Sequence, residues 1–343
     1  MRKLMLVVGV ILTLSIPASA LELDIPTVPG VEPGEPQSFG EDLLTILEDA
    51  LERFRPDVKE GASACVTILG VGMVLSLGAV MPGMSKGAVE LAGTVLAAAV
   101  LLEPARALIG LGVDTVRELS EYEKLLLPVL TAAMAAQGSV NASAALYAGT
   151  AAFNALLSGL VSGLLVPAVW IFLALSLGYG ATRDTMLKKL RDLVRSAAVW
   201  GLKTVLYVYT GYISITGVVS GATDASLLKA AKLTISGAVP VVGGILSDAS
   251  EAVLAGAAAV KNAAGIYGLL AVIAMWLGPF LRIGVQYLLL KAAGGVSSVF
   301  GVDSFTGVVE DFAAAMGLLL AMTGAVCLML IISTICFLKG AAV

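Results

Sequence analysis

The residues best able to do chemistry in this chain are ionisable groups placed within an apolar sequence. The segment "PVVGGILSDASEAVLAGAAAVKN" contains Asp248, Glu251 and Lys261. Asp248 and Glu251 are three residues apart and so share one face of a helix, while Lys261 lies about 15 Å further along a continuous helix. Ionisable groups at membrane depth are costly and usually face a bundle interior or a cavity. The spacing therefore favours a polar path or a contact with another subunit.

The same segment opens with backbone breakers, Pro240 and the pair Gly243 and Gly244. In a membrane such a break is tolerated only where helices or water cover the freed backbone groups, which favours a buried or re-entrant element. The alternative is that the charges mark a membrane interface and extend into water. The candidate residues for the path or contact are Lys232, Pro240, Gly243, Gly244, Asp248, Glu251, Lys261 and Asn262.

A second candidate site is the basic segment "TRDTMLKKLRDLVRS", whose leucines and valine form an apolar stripe at helical spacing. This pattern predicts a helix lying along a membrane surface, and its positive charge predicts the cytoplasmic side. Two functions fit it: attraction to anionic lipids and cytoplasmic docking of another protein. Its cations are Arg183, Lys188, Lys189, Arg191 and Arg195.

Several classes of site are disfavoured by composition. The chain has no histidine, which removes the usual general base and the commonest metal ligand. Its three cysteines, Cys65, Cys327 and Cys336, lie in apolar runs and are expected to be packing residues. The net charge of −4, without another basic patch, argues against nucleic-acid binding. We expect no metal, no cofactor and no catalysis.

The elements that position these residues must be membrane helices. The 343 residues are 58% apolar and 13% charged, with a mean hydropathy of +0.97. This composition predicts an all-α polytopic membrane protein with about six to eight transmembrane or re-entrant helices of about 20 residues each. Residues 1–20 resemble an export signal. Residues 21–60 hold eleven acidic and three basic residues and predict an extracytoplasmic linker and amphipathic helix before a membrane domain at 61–343.

Hydropathy and the prolines divide the chain further. Pro56 is expected to end the amphipathic helix. The predicted spans and shorter runs are 62–81, 87–102, 125–137, 144–179 interrupted by Pro167, 197–219, 265–281, 283–290 and 313–338, with a charged amphipathic stretch at 106–124.

The proline positions also suggest an internal duplication. Pro128 and Pro167 are 39 residues apart, as are Pro240 and Pro279. The first proline of each pair is expected to open a small-residue helix and the second to interrupt a span, giving repeats near 120–220 and 232–338. In transporters with repeated halves, paired broken segments of this kind surround the substrate site.

The stretch from Ile213 to Val296 resembles the core of the stage III sporulation protein AE family of spore-forming Firmicutes. The resemblance rests on Lys232, on "PVVGG" at 240–244, on "LSDA" at 246–249, on "KN" at 261–262 with Gly265, and on Pro279. It extends more weakly over almost all of the remaining chain.

This resemblance implies a multi-pass protein of the mother-cell membrane around the forespore. It also implies partners: the other membrane proteins of the stage III sporulation A operon and a secretion-type ATPase, in a channel or secretion-like complex needed for endospore formation. A stand-alone secondary transporter and a non-conducting scaffold for the ATPase remain the alternatives.

Overall fold

The computed structural model describes residues 39–81, 85–238 and 243–339, and every regular element among them is helical. Side chains from 216 to 261 fall outside this description. The elements are α1 (Phe39–Val80), α2 (Lys86–Ala136), α3 (Val140–Leu160), a π-helical turn (Val161–Leu165), α4 (Val166–Thr182), α5 (Thr185–Ala238), α6 (Gly243–Ser297), a 3-10 turn (Ser298–Phe300) and α7 (Asp303–Lys339).

Five segments of these helices are long and apolar enough to cross a membrane, judged over the described residues. They are Gly61–Val80, Lys86–Ala136, Val140–Thr182, Asn262–Phe300 and Asp303–Leu338. The predicted all-α polytopic membrane fold is therefore confirmed. The total of six to eight crossings stays a prediction, as does the span at 197–219, because the structure describes that region of α5 only in part.

The core of the bundle surrounds α7. Its side chains Phe305, Phe312, Met316, Leu330 and Phe337 are at most 1% exposed, and α7 packs most extensively against α6 and α2. Small residues allow close approach here: Gly112 of α2 lies against Leu319, so that an added Cβ would come 3.5 Å from that side chain. Close packing of this kind drives helix association in lipid. α7 is therefore the central helix of the bundle.

Two short connections join successive antiparallel segments. The turn between α2 and α3 uses Gly138 at φ 89°, and the turn before α7 uses Gly301 at φ 73°. Both angles lie in the left-handed region, which glycine adopts without steric cost. The start of α2 is capped by Ser85, whose hydroxyl accepts a hydrogen bond of 3.3 Å from the Ala88 amide.

The prolines break fewer helices than the sequence predicts. The prediction that Pro56 ends a helix was wrong, because α1 continues through it to Val80. Pro56 is exposed, so water can satisfy the carbonyl that the proline leaves without a donor. Pro128 likewise lies inside α2 instead of opening a helix. Leu126, Leu127 and Leu130 around it are buried, and their close packing against neighbouring helices favours a continuous helix over a break at the proline.

Pro167 does interrupt its helix, as predicted. The π-helical turn lies immediately before it, and the Val166 amide donates to the carbonyl of Val161 instead of to that of Ser162. The wider turn relieves the clash between the proline ring and the carbonyl four residues earlier. The prediction that Pro279 interrupts a span was wrong, because α6 continues through it. The described backbones of the two proposed repeats thus differ, and the duplication stays a prediction.

The runs predicted separately at 87–102, 106–124 and 125–137 form one helix, α2. The charged residues between them lie mostly on one exposed side, while the opposite side continues the buried stripe. Hydropathy averages over the exposed and the buried side of a helix. The exposed charges therefore made one continuous helix look like three separate segments.

Candidate functional site

A cavity of about 370 Å³ lies where α4 ends, α5 begins, α6 ends and α7 begins. We call it the basic cavity. Five cationic side chains line it together with three carboxylates and two tyrosines. The cations are Arg183, Lys188, Arg191, Arg195 and Lys291, the carboxylates are Asp303, Glu310 and Asp311, and the tyrosines are Tyr179 and Tyr287.

Arg191 fixes the first turns of α5 onto α7. Its guanidinium lies 2.6 Å from an oxygen of Asp311 and 2.9 Å from an oxygen of Asp192. The side chains of Arg191 and Asp311 are each only 13% exposed. Burial lowers the pKa of Arg191, but the Asp311 and Asp192 carboxylates raise it more, so the net direction is upward. The guanidinium therefore stays charged, which balances the half-enclosed carboxylate of Asp311.

Arg183 forms the connection between α4 and α5. It adopts the left-handed conformation, φ 57°, and its amide donates 2.8 Å to the carbonyl of Tyr179. Its guanidinium donates to both carboxylate oxygens of Glu90 on α2, each at 3.3 Å. A non-glycine residue in this conformation costs about 1 kcal/mol. The paired hydrogen bonds to Glu90 offset that cost and connect α2 to the turn.

The side chain of Asp184 then starts α5 by accepting a hydrogen bond of 2.8 Å from the Met186 amide. An aspartate here satisfies one of the free amides of the first turn and complements the positive end of the helix. The sequence "TRDT" thus ends one helix and begins the next within three residues, which holds the basic residues in fixed positions.

Tyr179 supports three of the cations. Arg183, Lys188 and Arg191 lie 5.8, 6.0 and 5.3 Å from the centroid of its ring. An aromatic face attracts cations at such distances. Tyr179 therefore reduces repulsion between like charges that would otherwise separate.

The five basic residues predicted from sequence fall into two groups. Arg183 and Arg191 are partly buried in ion pairs, whereas Lys188, Lys189 and Arg195 are exposed. Lys189 does not line the cavity but lies on the same exposed turn. Arg183 and Arg191 hold the backbone in place through their ion pairs. The three exposed cations carry charge that a carboxylate or phosphate outside the bundle could bind.

The basic segment is not a helix of its own, and its position along a membrane surface stays a prediction. It forms the first three turns of α5, which runs on without a break. Arg191 pairs with Asp311, and the Tyr209 hydroxyl donates a hydrogen bond of 3.3 Å to the carbonyl of Met329. In each pair the two residues are 120 positions apart in the sequence. The constant separation means that α5 and α7 run parallel. No helix breaker separates the basic turns from the apolar residues that follow, so the helix continues into the bundle.

The helix termini around the basic cavity all lie at one end of the bundle. The Ser304 hydroxyl donates 2.8 Å to the carbonyl of Gly180, and Arg183 reaches Glu90 near the start of α2. A Cβ placed on Gly72 of α1 would meet the rings of Phe300 and Phe305. The last turns of α1 therefore reach the same region, which gathers six helix ends around the basic cavity.

The predicted path residues cannot be placed in the same way. Pro240 and the side chains of Lys232, Asp248, Glu251 and Lys261 lie outside the described residues, and the glycine pair begins the described backbone of α6. Asn262 is exposed on α6. The polar path stays a prediction.

Sequence reasoning missed Glu123, which is fully buried within α2. It was taken as part of a charged amphipathic stretch. The signal that identifies it is its position on the apolar stripe of that helix, since Val116, Leu119, Ser120, Leu126, Leu127 and Leu130 follow the same spacing of three and four residues and are all buried. No cluster of three or more potential metal ligands occurs among the described residues.

Comparison with known proteins gives two matches. The family model described as stage III sporulation protein AE matches residues 44–340. The stage III sporulation protein AE of Bacillus subtilis (strain 168) is 25% identical over 189 residues, which is 55% of this chain and 47% of the relative. The match thus spans about half the length of that relative. No solved structure matches. Because the family model covers far more than half of the sequence, this chain belongs to the stage III sporulation protein AE family.

Proposed function

We propose that this protein is a membrane subunit, without catalysis of its own, of the channel or secretion-like complex that connects mother cell and forespore. Membership of the family implies a role in sporulation. The family match over residues 44–340 is the observation that carries the finer proposal, because it includes the spans, the basic cavity and the segment with the polar residues at 240–262. The complex, its partners and the absence of catalysis are our inference.

The surface of the bundle supports a role inside a membrane assembly. Trp200, Tyr207 and Val208 of α5 are 71%, 75% and 55% exposed, and Leu77 and Val80 of α1 are exposed as well. Large apolar side chains on the outside of a bundle face either lipid or another membrane protein. The exposed face of α5 is consistent with contact to the other membrane proteins encoded in the same operon.

The charge distribution favours one orientation. The acidic residues 21–60 precede the span of α1, and the basic cavity lies at the opposite end of that span. Cytoplasmic ends of membrane helices carry an excess of Lys and Arg. The basic cavity is therefore proposed to face the mother-cell cytoplasm, with the segment before Gly61 on the extracytoplasmic side.

A second function, a docking scaffold for the secretion-type ATPase, is favoured by one observation. Lys188, Lys189 and Arg195 are exposed, while their helix is fixed by the Arg191–Asp311 pair. A fixed backbone lowers the ordering cost of binding. These cations are suited to an acidic surface of a cytoplasmic protein, and attraction to anionic lipid is the competing outcome.

Complementation tests the proposed function. The gene would replace the family member of a spore-forming bacterium, and heat-resistant spores would be counted with membrane protein levels as a control. Restored sporulation, together with co-purification of the other operon products, is expected. A chain that reaches the membrane at normal levels, restores nothing and purifies alone would contradict the proposal.

A further inference from the structure

Glu123 is a carboxyl group enclosed by the bundle. Its exposure is 0%, and neither carboxylate oxygen has a hydrogen-bond partner among the residues that the structure describes. Glu118 and Glu121, on the same helix, are exposed, and Glu121 pairs with Arg117 at 2.9 Å. Glu123 alone of these three acids faces the interior, so its position requires a separate explanation.

The surroundings of Glu123 are a small polar layer between α2, α3 and α5. The Ser120 hydroxyl donates 3.1 Å to the Asn154 side-chain oxygen, which sets the register of the antiparallel α2 and α3. One turn further, this register places Thr150 opposite Glu123. Thr150 is fully buried, and its hydroxyl lies beside the Tyr209 phenol.

The charged and titratable groups near this layer offer Glu123 no ion pair. Lys124 interacts with it electrostatically from the same helix, but that side chain is exposed. Tyr209 of α5 also interacts with Glu123, and Cys336 of α7 lies near that phenol. On the α6 side Tyr122 meets Tyr267. None of these groups is a buried cation.

An isolated carboxylate in such surroundings is strongly unfavourable, because its contact with bulk water is lost and no buried cation named above compensates its charge. Such a group takes up a proton and becomes neutral. Intramembrane carboxyl groups that face the bundle interior recur in proton relays of membrane proteins.

We propose that Glu123 is a proton-binding site inside the bundle. The carboxylic acid holds its proton while α3 and α7 stay packed against α2. When water enters between these helices, the O–H bond breaks, the proton passes to water, and the carboxylate remains. Packing of this interface and protonation of Glu123 are thus linked, independently of the sporulation complex.

The site lies far from the basic cavity. Tyr209 is 18 residues beyond Arg191 on α5, which is about 27 Å along the helix axis. That separation approaches the hydrocarbon thickness of a bilayer, about 30 Å. Substitutions at Glu123 are therefore expected to leave the ion pairs of the cavity intact.

Dicyclohexylcarbodiimide, which modifies protonated carboxyl groups in apolar surroundings, tests the proposal on the full chain in liposomes. Tandem mass spectrometry of the wild-type protein is expected to find the adduct at Glu123 at neutral pH, with labelling lost as the pH rises. Glu121→Gln serves as the control that leaves this adduct unchanged. Infrared spectra of the wild type and of Glu123→Gln are expected to differ by one protonated-carboxyl band.

Two results would overturn the proposal. A wild-type protein without the adduct at Glu123 and without the protonated-carboxyl band holds an ionised carboxylate. Protection of Glu123 by Na⁺ or K⁺ at constant pH assigns the position to a metal cation instead. The wild-type labelling decides the question even if Glu123→Gln fails to fold.

Discussion

Arg191 and Asp311 join α5 to α7 through a 2.6 Å ion pair, at the same separation of 120 residues at which Tyr209 meets the Met329 carbonyl. The two contacts fix the register of two parallel helices at points about 27 Å apart. The first contact also fixes the turns that carry Lys188 and Lys189. The position of the exposed cations thus depends on a partly buried pair next to them.

Removal of one member of this pair is expected to destabilise the bundle. Arg191→Ala leaves Asp311 partly buried without its countercharge, and such losses cost about 3 kcal/mol. Thermal unfolding in detergent, followed by circular dichroism, measures the change. The charge exchange Arg191→Asp with Asp311→Arg is expected to recover part of the lost stability.

Arg117→Ala provides the matched control. Arg117 also forms a 2.9 Å ion pair, with Glu121, but the two side chains are 74% and 57% exposed. Exposed pairs contribute little to stability because water and salt screen them. Equal losses of thermal stability for Arg117→Ala and Arg191→Ala would show that the ion pair between α5 and α7 stabilises the bundle no more than an exposed pair does.

Two glycines of α3 allow a second matched comparison. A Cβ on Gly149 would overlap the ring of Tyr212, whose hydroxyl donates 2.9 Å to the carbonyl of Ala145, whereas a Cβ on Gly159 meets nothing within 4 Å. Gly149→Ala is therefore expected to lower the unfolding temperature. Gly159→Ala is expected to leave the unfolding temperature unchanged or to raise it. The higher helix propensity of alanine adds up to about 1 kcal/mol to the free energy of unfolding.

Thermal unfolding of both variants in the same detergent checks this comparison. A Gly149→Ala protein as stable as the wild type would mean that α3 and α5 do not pack through Tyr212.

Charge reversal at Lys188 and Lys189 tests docking. Because both side chains are exposed, the double variant to Glu is expected to fold normally, to lose recruitment of the ATPase and to reduce heat-resistant spores at least tenfold. Lys59→Glu, an exposed lysine before the span of α1, is the control. Unchanged recruitment at normal protein levels would count against docking.

Thiol accessibility tests the predicted polar path. Single cysteines would replace Asp248, Glu251, Ala257 and Lys261 in a chain without Cys65, Cys327 and Cys336. Modification along one helical face by a small water-soluble reagent is expected if the segment lines a wet path. Complete protection in sporulating cells would instead indicate charges paired within a packed complex.

The fold class and several boundaries could be predicted from the sequence because they depend on local composition. The span at 62–81 and the break before Pro167 follow from apolar length and from the missing amide of proline, and both are confirmed. Pro56 and Pro128 failed as helix boundaries, since a local rule includes neither the water that reaches the exposed Pro56 nor the burial of side chains such as Leu130 around Pro128.

The candidate site was predicted in part for the same reason. Four of its five cations could be found from charge alone and Lys291 was missed. The partners Glu90 and Asp311 lie 93 and 120 residues away. Only the tertiary fold brings these charges together. The burial of Glu123, by contrast, could have been predicted from local sequence, because the residue lies on an apolar stripe. The charged residues next to it led to its interpretation as part of a charged amphipathic stretch.

Photo-crosslinking from position 189 tests the central claim most directly, namely that this chain is a subunit of a sporulation complex whose basic end faces other proteins. Lys189 is exposed and can be replaced by a photoreactive amino acid without disturbing the Arg191–Asp311 pair. In sporulating cells we predict adducts with proteins of the complex, and their loss when the ATPase gene is deleted. Adducts with lipid alone, or the same protein adducts in cells that are not sporulating, would contradict the account.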